Sequence, residues 1–233
     1  MDSRTKAQAR ILAGQVYFGD RRIDKSGELI AEDAELRVSE LDRYCSRGGT
    51  KLEGALSDLG LDVRGLVAVD VGASTGGFTD CLLQHGAARV YAVDVGRGQL
   101  AEKLRQDARV VVMDRTNARH LSQGSFPEPI ELTVVDASFI SLEKLLPAIA
   151  AFTPPGARLL ALIKPQFEVG KAEATRGRGV ISDAAVRAEA VKRALAEVAA
   201  SGFSLSGDCE CRLPGPKGNV EHFVLAERVS AGP

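Results

Sequence analysis

Four ionisable residues, Lys51, Asp136, Lys164 and Glu221, lie far apart in the chain. Each falls at a strand end or junction that a doubly wound α/β domain would turn toward one cleft. Two ammonium groups and two carboxylates in one place suit removal of a proton from a weak acid. A ribose 2′-hydroxyl is such an acid, so its oxygen must be held in line with an electrophile and its proton removed or polarised. A lysine can do this where a neighbouring positive charge and partial burial favour its neutral form. Lys164 closes an apolar run in Leu162-Ile-Lys-Pro-Gln-Phe167, and Lys51 is the candidate for the second positive charge. Asp136 and Glu221 would orient the two ammonium groups and limit their repulsion.

The electrophile is suggested by a glycine turn, Asp70-Val-Gly-Ala-Ser-Thr-Gly-Gly77. It is not the dinucleotide pattern G-x-G-x-x-G, because Ser74 stands where the second glycine would let backbone approach a pyrophosphate. Asp70 would suit the α-amino group of S-adenosylmethionine, and the helix start near Gly77 could receive that ligand's carboxylate. The cofactor-binding set expected is therefore Asp70, Gly72, Ala73, Ser74, Thr75, Gly76, Gly77 and Phe78. Asp94 would bond the ribose hydroxyls, and Asp114 would reach the adenine amino group. Negative evidence narrows the acceptor. Exocyclic-amine methylation usually shows [DN]-P-P-[YF] after the fourth strand, and here the stretch is Asp136-Ala-Ser-Phe139. Cytosine C5 methylation needs a nucleophilic cysteine, and none follows the fourth or fifth strand before Cys209.

The elements that must position these groups alternate from Leu66 onward. Strands are expected at Leu66–Val71, Arg89–Asp94, Val110–Met113, Leu132–Val135, Leu159–Lys164, Phe203–Cys211 and Glu221–Ala226, with helices at 77–86, 98–106, 141–151 and 183–201. Repeated βα units mean a parallel sheet covered on both faces. The last two strands are joined only by the loop Leu213-Pro-Gly-Pro-Lys-Gly-Asn219, which makes the final strand antiparallel. Upstream, Ser3–Gly14 reads as a short basic helix, and Val16-Tyr-Phe and Glu35–Val38 as short strands. The glycine-containing stretch Tyr44–Leu52 reads as a connector. The long segment Phe167–Val180 is glycine-rich and partly basic, and reads as a substrate-contacting lid.

Composition limits the possibilities. The 233 residues allow one large domain and a small appendage; 45% are hydrophobic and 26% charged, with a net charge of −1. Any nucleic-acid site must then be a local patch rather than a property of the whole surface. The candidates are Arg4, Lys6 and Arg10 on the first helix, Arg43 and Arg47 at the connector, and Lys171, Arg176 and Arg178 in the lid. No apolar run approaches the ~20 residues of a membrane span, and no signal peptide is evident, so a cytoplasmic protein with no membrane partner is expected. The four cysteines, Cys45, Cys81, Cys209 and Cys211, read as reduced structural thiols, and no metal site is expected.

Together, Ser46-Arg-Gly-Gly-Thr-Lys-Leu52, Asp70-Val-Gly-Ala-Ser-Thr-Gly-Gly-Phe-Thr-Asp80, Arg115-Thr-Asn117, Ile163-Lys-Pro-Gln-Phe-Glu168 and Gly218-Asn-Val-Glu-His222 resemble the TlyA (hemolysin A-type) ribosomal RNA methyltransferases of the FtsJ-like group. The resemblance runs from about residue 3 to residue 227. It implies a Rossmann-like, S-adenosylmethionine-dependent methyltransferase fold, with a mostly parallel seven-stranded sheet whose last strand is antiparallel. A small α+β S4-like RNA-binding domain would precede it. The boundaries implied are 1–42 for the S4-like domain, 43–54 for a linker, 55–228 for the methyltransferase domain and 229–233 for a tail. Family members usually start with a further helix before the Ser3-Arg-Thr-Lys-Ala-Gln motif, so either the native start lies upstream of Met1 or the first domain is incomplete at its N-terminus. A catalytic Lys-Asp-Lys-Glu tetrad is implied at Lys51, Asp136, Lys164 and Glu221. The implied activity is 2′-O-methylation of cytidine in 16S and/or 23S rRNA within ribosomal particles. The linker matching Arg43–Thr50 would couple RNA engagement to cofactor binding.

Three competing readings make different demands. A non-catalytic RNA-binding or ribosome-assembly factor would keep its role when Lys164 is replaced. A nicotinamide-dependent oxidoreductase conflicts with Ser74 and Asp70. A membrane-active hemolysin would need an apolar span or an amphipathic pattern that this sequence does not display.

Overall fold

The computed structural model describes all residues except 1–3, 13–15, 20, 24, 32, 39–42, 170–179, 216 and 231–233, and leaves out the side chains of 5, 6, 9, 12 and 22. The chain divides into two units, Met1–Arg43 and Tyr44–Pro233.

In the first unit, helix α1 (Arg4–Leu12) precedes strands β1 (Val16–Phe18), β2 (Arg21–Arg22) and β3 (Leu36–Val38), which form an antiparallel sheet in the order β2-β1-β3. Val16 and Ile23 are buried, and the Ile23 N–H bonds the Val16 carbonyl at 2.8 Å. Tyr17 and Arg37 face each other across β1 and β3, with the guanidinium 4.8 Å from the ring centroid. β2 was not foreseen, because two arginines carry no strand signal. It exists because Gly19, at φ +59°, turns the chain back and pairs Phe18 with Arg21.

The second unit opens with helix α2 (Arg47–Asp58), which replaces most of the expected connector and linker at 43–54. Three glycines at 48, 49 and 54 conceal it, since each lowers helix propensity by about 1 kcal/mol. Packing outweighs propensity. A Cβ at Gly49 would lie 2.3 Å from Tyr44, so the glycine admits that buried ring. Ser46 caps the helix by accepting the Gly48 N–H, and Leu52, Ala55 and Leu56 face the core.

Seven strands follow: β4 (Val67–Val71), β5 (Arg89–Val93), β6 (Val110–Met113), β7 (Leu132–Val135), β8 (Arg158–Ile163), β9 (Phe203–Glu210) and β10 (His222–Arg228). Their order is β6-β5-β4-β7-β8-β10-β9. All pairs from β6 to β8 are parallel, and β10 is antiparallel to both its neighbours. The expected α/β architecture is therefore present, with the final strand reversed. Side chains alternate between two cores. Ala68 joins Leu52, Phe78 and Phe223 on one face, while Val69 joins Ile149, Leu159 and Val198 on the other. Both faces are covered, which is why these strands read as nearly continuous apolar runs.

The helices are α3 (Gly77–Gln84), α4 (Glu102–Arg105), α5 (Leu146–Phe152), α6 (Pro165–Glu168) and α7 (Ala184–Ala200). α4 is shorter than the helix expected at 98–106, because Gly98 is left-handed at φ +65°. The helix expected at 141–151 is split into a 3₁₀ turn at Leu142–Lys144 and α5, which starts where Pro147 can occupy a first-turn position. α6 was not anticipated. Pro165 begins it directly after β8.

Candidate active site

Strand order reverses at β4, which pairs with β5 on one side and β7 on the other. The crevice outside the carboxyl ends of β4 and β7 is where such sheets bind ligands. Gly72 leaves β4 there and Asp136 leaves β7. Gly72 sits at φ +88°, and a Cβ on it would stand 2.8 Å from the Asp136 carbonyl oxygen, so only glycine lets the two strand exits touch.

Lys164 leaves β8 at the same edge. Because β10 is antiparallel and pairs His222 with Ile163, its first end also arrives there and brings Glu221 with it. Lys51 comes from the core face of α2. The result is two ion pairs. Lys51 Nζ lies 2.5 Å from Glu221 Oε2, with both side chains buried at 8% and 1% exposure. Lys164 Nζ lies 2.5 Å from Asp136 Oδ1, at an angle outside hydrogen bonding, and donates to Ser138 Oγ at 2.8 Å. The second pair is more open, since Asp136 is 24% exposed. All four residues line one cavity of about 1250 Å³, along with Gly72, Ala73, Ser74, Thr75, Gly77 and Phe78 of the glycine turn.

The expected cofactor residues divide. Gly76, at φ +96°, is packed under Leu100 and Leu104 of the α4 region. Asp70 is fully buried and does not line the cavity. Its Oδ2 accepts the Thr79 N–H at 2.9 Å and the Thr79 hydroxyl at 2.7 Å, which clamps the turn to α3. Its Oδ1 is buried with no partner. Asp94 and Asp114 also lie outside the cavity lining. Asp94 accepts the Ser74 and Gly96 N–H groups, and Asp114 accepts the Gly98 N–H and pairs with Arg105. The Gly98 bond holds the Asp114 carboxyl below its ordinary range, with Arg105 adding to it.

Burial pushes the Asp70 carboxyl up to about 7; the Thr79 bonds oppose this, and the charges of Asp136 and Asp94 reinforce it. Asp70 thus binds its proton more tightly folded than unfolded. Its contribution to stability is full below the ordinary carboxylate value and is lost as pH rises toward about 7. Asp70→Asn stays neutral throughout. The unfolding midpoint of the wild type is expected to fall relative to that variant between about pH 4 and pH 7. Parallel curves would show that burial does not hold the proton on Asp70.

Of the expected RNA-contacting residues, Arg47 lines the cavity and donates to the Pro214 carbonyl at 2.9 Å. Arg43 is exposed, as are Arg4 and Arg10 on α1 of the first unit. Lys171, Arg176, Arg178 and the side chain of Lys6 lie outside the described residues, as does most of the expected lid. Sequence reasoning missed Ser138, Phe139, Gln166, Lys144 and Lys217, which line the cavity together with Phe167, the first residue of the expected lid. Phe139 is 91% exposed, left-handed at φ +65°, and 5.3 Å from Phe167 between ring centroids. No local sequence signal marks a phenylalanine for that conformation. Burial pushes the Cys45 and Cys209 thiols up to about 11, away from nucleophilic character. Among the described residues, no group of His, Cys, Asp and Glu could hold a metal, and no helix is long and apolar enough to cross a membrane.

The glycine turn running into α3, beside paired lysines and carboxylates at a topological switch point, is the layout of a methyl-transfer site. The family model of FtsJ-like methyltransferases matches residues 44–228, from the first residue of the second unit to the last of β10. The chain belongs to the FtsJ-like methyltransferase family. It is similar to the Bacillus subtilis protein YqxC, at 46% identity over 96% of this chain and 80% of that protein. It is also 43% identical to the 16S/23S rRNA (cytidine-2′-O)-methyltransferase TlyA of Mycobacterium tuberculosis, over 95% of this chain and 83% of the relative. A solved structure from Streptococcus thermophilus, named after hemolysin, matches 99% of this chain and 85% of its own at 40% identity and a TM-score of 0.81. The FtsJ-like assignment removes the nicotinamide oxidoreductase reading.

Proposed function

We propose that this FtsJ-like protein methylates the 2′-hydroxyl of a cytidine ribose in 16S and/or 23S ribosomal RNA, with S-adenosylmethionine as donor. The observation that carries the reading is the pairing of Lys51 with Glu221 and of Lys164 with Asp136 in one cavity beside the glycine turn. The cavity volume of about 1250 Å³ exceeds the ~300–1,000 Å³ of a typical single-ligand pocket, leaving room for a donor and a nucleotide together.

The residues on hand fit the donor. Gly72, Ala73, Ser74 and Thr75 form one wall, and the start of α3 at Gly77 presents backbone N–H groups to a carboxylate. Asp70, buried beneath that turn, holds it to α3 through Thr79. When bound, S-adenosylmethionine supplies an electrophilic methyl group.

Lys164 is assigned the proton. In its neutral form its Nζ takes the proton of the 2′-hydroxyl, and the ammonium that results is held by Asp136 and by Ser138 Oγ. Lys51 adds a second positive charge where the alkoxide character develops, and Glu221 keeps that charge in place. The exposed Phe139 ring, with Phe167 beside it, offers a stacking surface for a base at the cavity mouth. Arg47, Lys144 and Lys217 supply positive charge around the same mouth, though the whole chain is nearly neutral. We read the first unit as an S4-like RNA-binding domain whose basic helix α1, which carries Arg4, Lys6 and Arg10 in its sequence, lies on phosphates. A ribosomal substrate puts this work in the cytoplasm.

The reading is tested by incubating the protein with labelled S-adenosylmethionine and ribosomal subunits or naked rRNA lacking the modification. Transfer of label to rRNA is expected. Binding of S-adenosylmethionine without transfer to any ribosomal substrate would contradict the acceptor class.

A further inference from the structure

We infer that Glu168 is a positioning residue that keeps the exit loop of β7, residues 136–142, in the register that presents Asp136 and Ser138 to Lys164. The inference rests on the methyl-transfer reading above. That loop holds both groups that touch Lys164 Nζ, and its middle residue, Phe139, is in the left-handed region at φ +65°. Such a conformation in a bulky residue persists only where its surroundings fix it. Two contacts reach the loop, and both come from α6, the short helix that starts immediately after Lys164. The Phe167 ring packs on Phe139, and Glu168 Oε1 accepts the Leu142 N–H at 2.9 Å.

Glu168 and Leu142 are both buried, at 6% and 4% exposure. A carboxyl in that position is unfavourable unless its hydrogen bond is needed, and an apolar side chain would fill the same space more cheaply. The bond closes a short circuit: Lys164 to Asp136, along the loop to Leu142, across to Glu168, and back through α6 to Lys164. A slip at Leu142 would therefore displace Asp136 and Ser138, although Glu168, which also lines the cavity, bonds Leu142 and not Lys164.

The test compares Glu168→Gln, which keeps an oxygen acceptor, with Glu168→Leu and Glu168→Ala, which remove it. Two truncations are made because leucine fills the space that alanine leaves empty. Each is assayed for methyl transfer to unmodified rRNA, for S-adenosylmethionine affinity and for thermal unfolding. Truncation is expected to lower kcat roughly 10²-fold, with little change in RNA KM or cofactor affinity, and glutamine to restore most of the rate. A merely structural role would weaken cofactor affinity and the unfolding midpoint together and leave kcat of the folded fraction intact. A folded truncation with wild-type kcat overturns the inference, and so does a glutamine variant as slow as the truncations. A wild-type protein silent on rRNA is a different result, and would remove the methyl-transfer reading along with this inference.

Discussion

Lys164→Ala is expected to lower kcat for rRNA methylation by about 10²–10⁴-fold, the range for loss of a positioned proton acceptor. Cofactor affinity should survive, because the glycine turn and the α3 terminus do not include Lys164. The informative companion is Lys164→Arg. Arginine keeps the positive charge and could still pair with Asp136, but its guanidinium cannot be deprotonated in a protein. If Lys164 takes the proton, the arginine variant is as slow as alanine. If Lys164 acts only as a charge, arginine recovers much of the rate. The measurement is single-turnover methyl transfer with saturating cofactor, which separates chemistry from binding and product release.

Glu221→Ala is expected to have the largest effect on stability. It leaves the Lys51 ammonium, 8% exposed, without its partner. Breaking a buried pair from one side costs about 3–5 kcal/mol, because the remaining charge stays uncompensated. For a chain of 233 residues this corresponds to a fall of roughly 10 °C in the unfolding midpoint. Replacing both partners, as Lys51→Met with Glu221→Met, removes both charges at similar volume. Most of the stability should return, since apolar replacement of a whole buried pair is often neutral or better. Activity should not return. Stability rescued without activity would assign the pair to the reaction rather than to holding the fold. Recovery of both would make it a structural pair, and the tetrad would shrink to Lys164 and Asp136.

Much of this architecture was legible because apolar strands buried on both faces announce themselves. β6 and β7 were read at their observed ends, Val110–Met113 and Leu132–Val135. The antiparallel reversal of β10 followed from a linkage too short for a crossover helix, and it is what returns Glu221 to the edge where β8 ends. α2 was illegible because its glycines argue locally for a connector, and only the Tyr44 ring packed against Gly49 explains them. The cofactor acids also make contacts within the fold that sequence does not show. Sequence located Asp94 and Asp114 at strand ends, but it could not reveal that Asp94 would accept the Ser74 and Gly96 N–H groups and Asp114 the Gly98 N–H. Asp70 was read as a ligand contact, and in the fold it is a buried clamp on Thr79. Phe139 lay unnoticed in Asp136-Ala-Ser-Phe139 because left-handed backbone in an aromatic residue is imposed by tertiary contacts and not by its neighbours in sequence.

The most direct test of the central claim is nucleoside mass spectrometry of rRNA treated with the wild-type protein and with Lys164→Ala. 2′-O-methylcytidine is expected in the wild-type digest and is expected to be lost in the variant. A methyl group found on a base, or 2′-O-methylcytidine formed equally by Lys164→Ala, would contradict it.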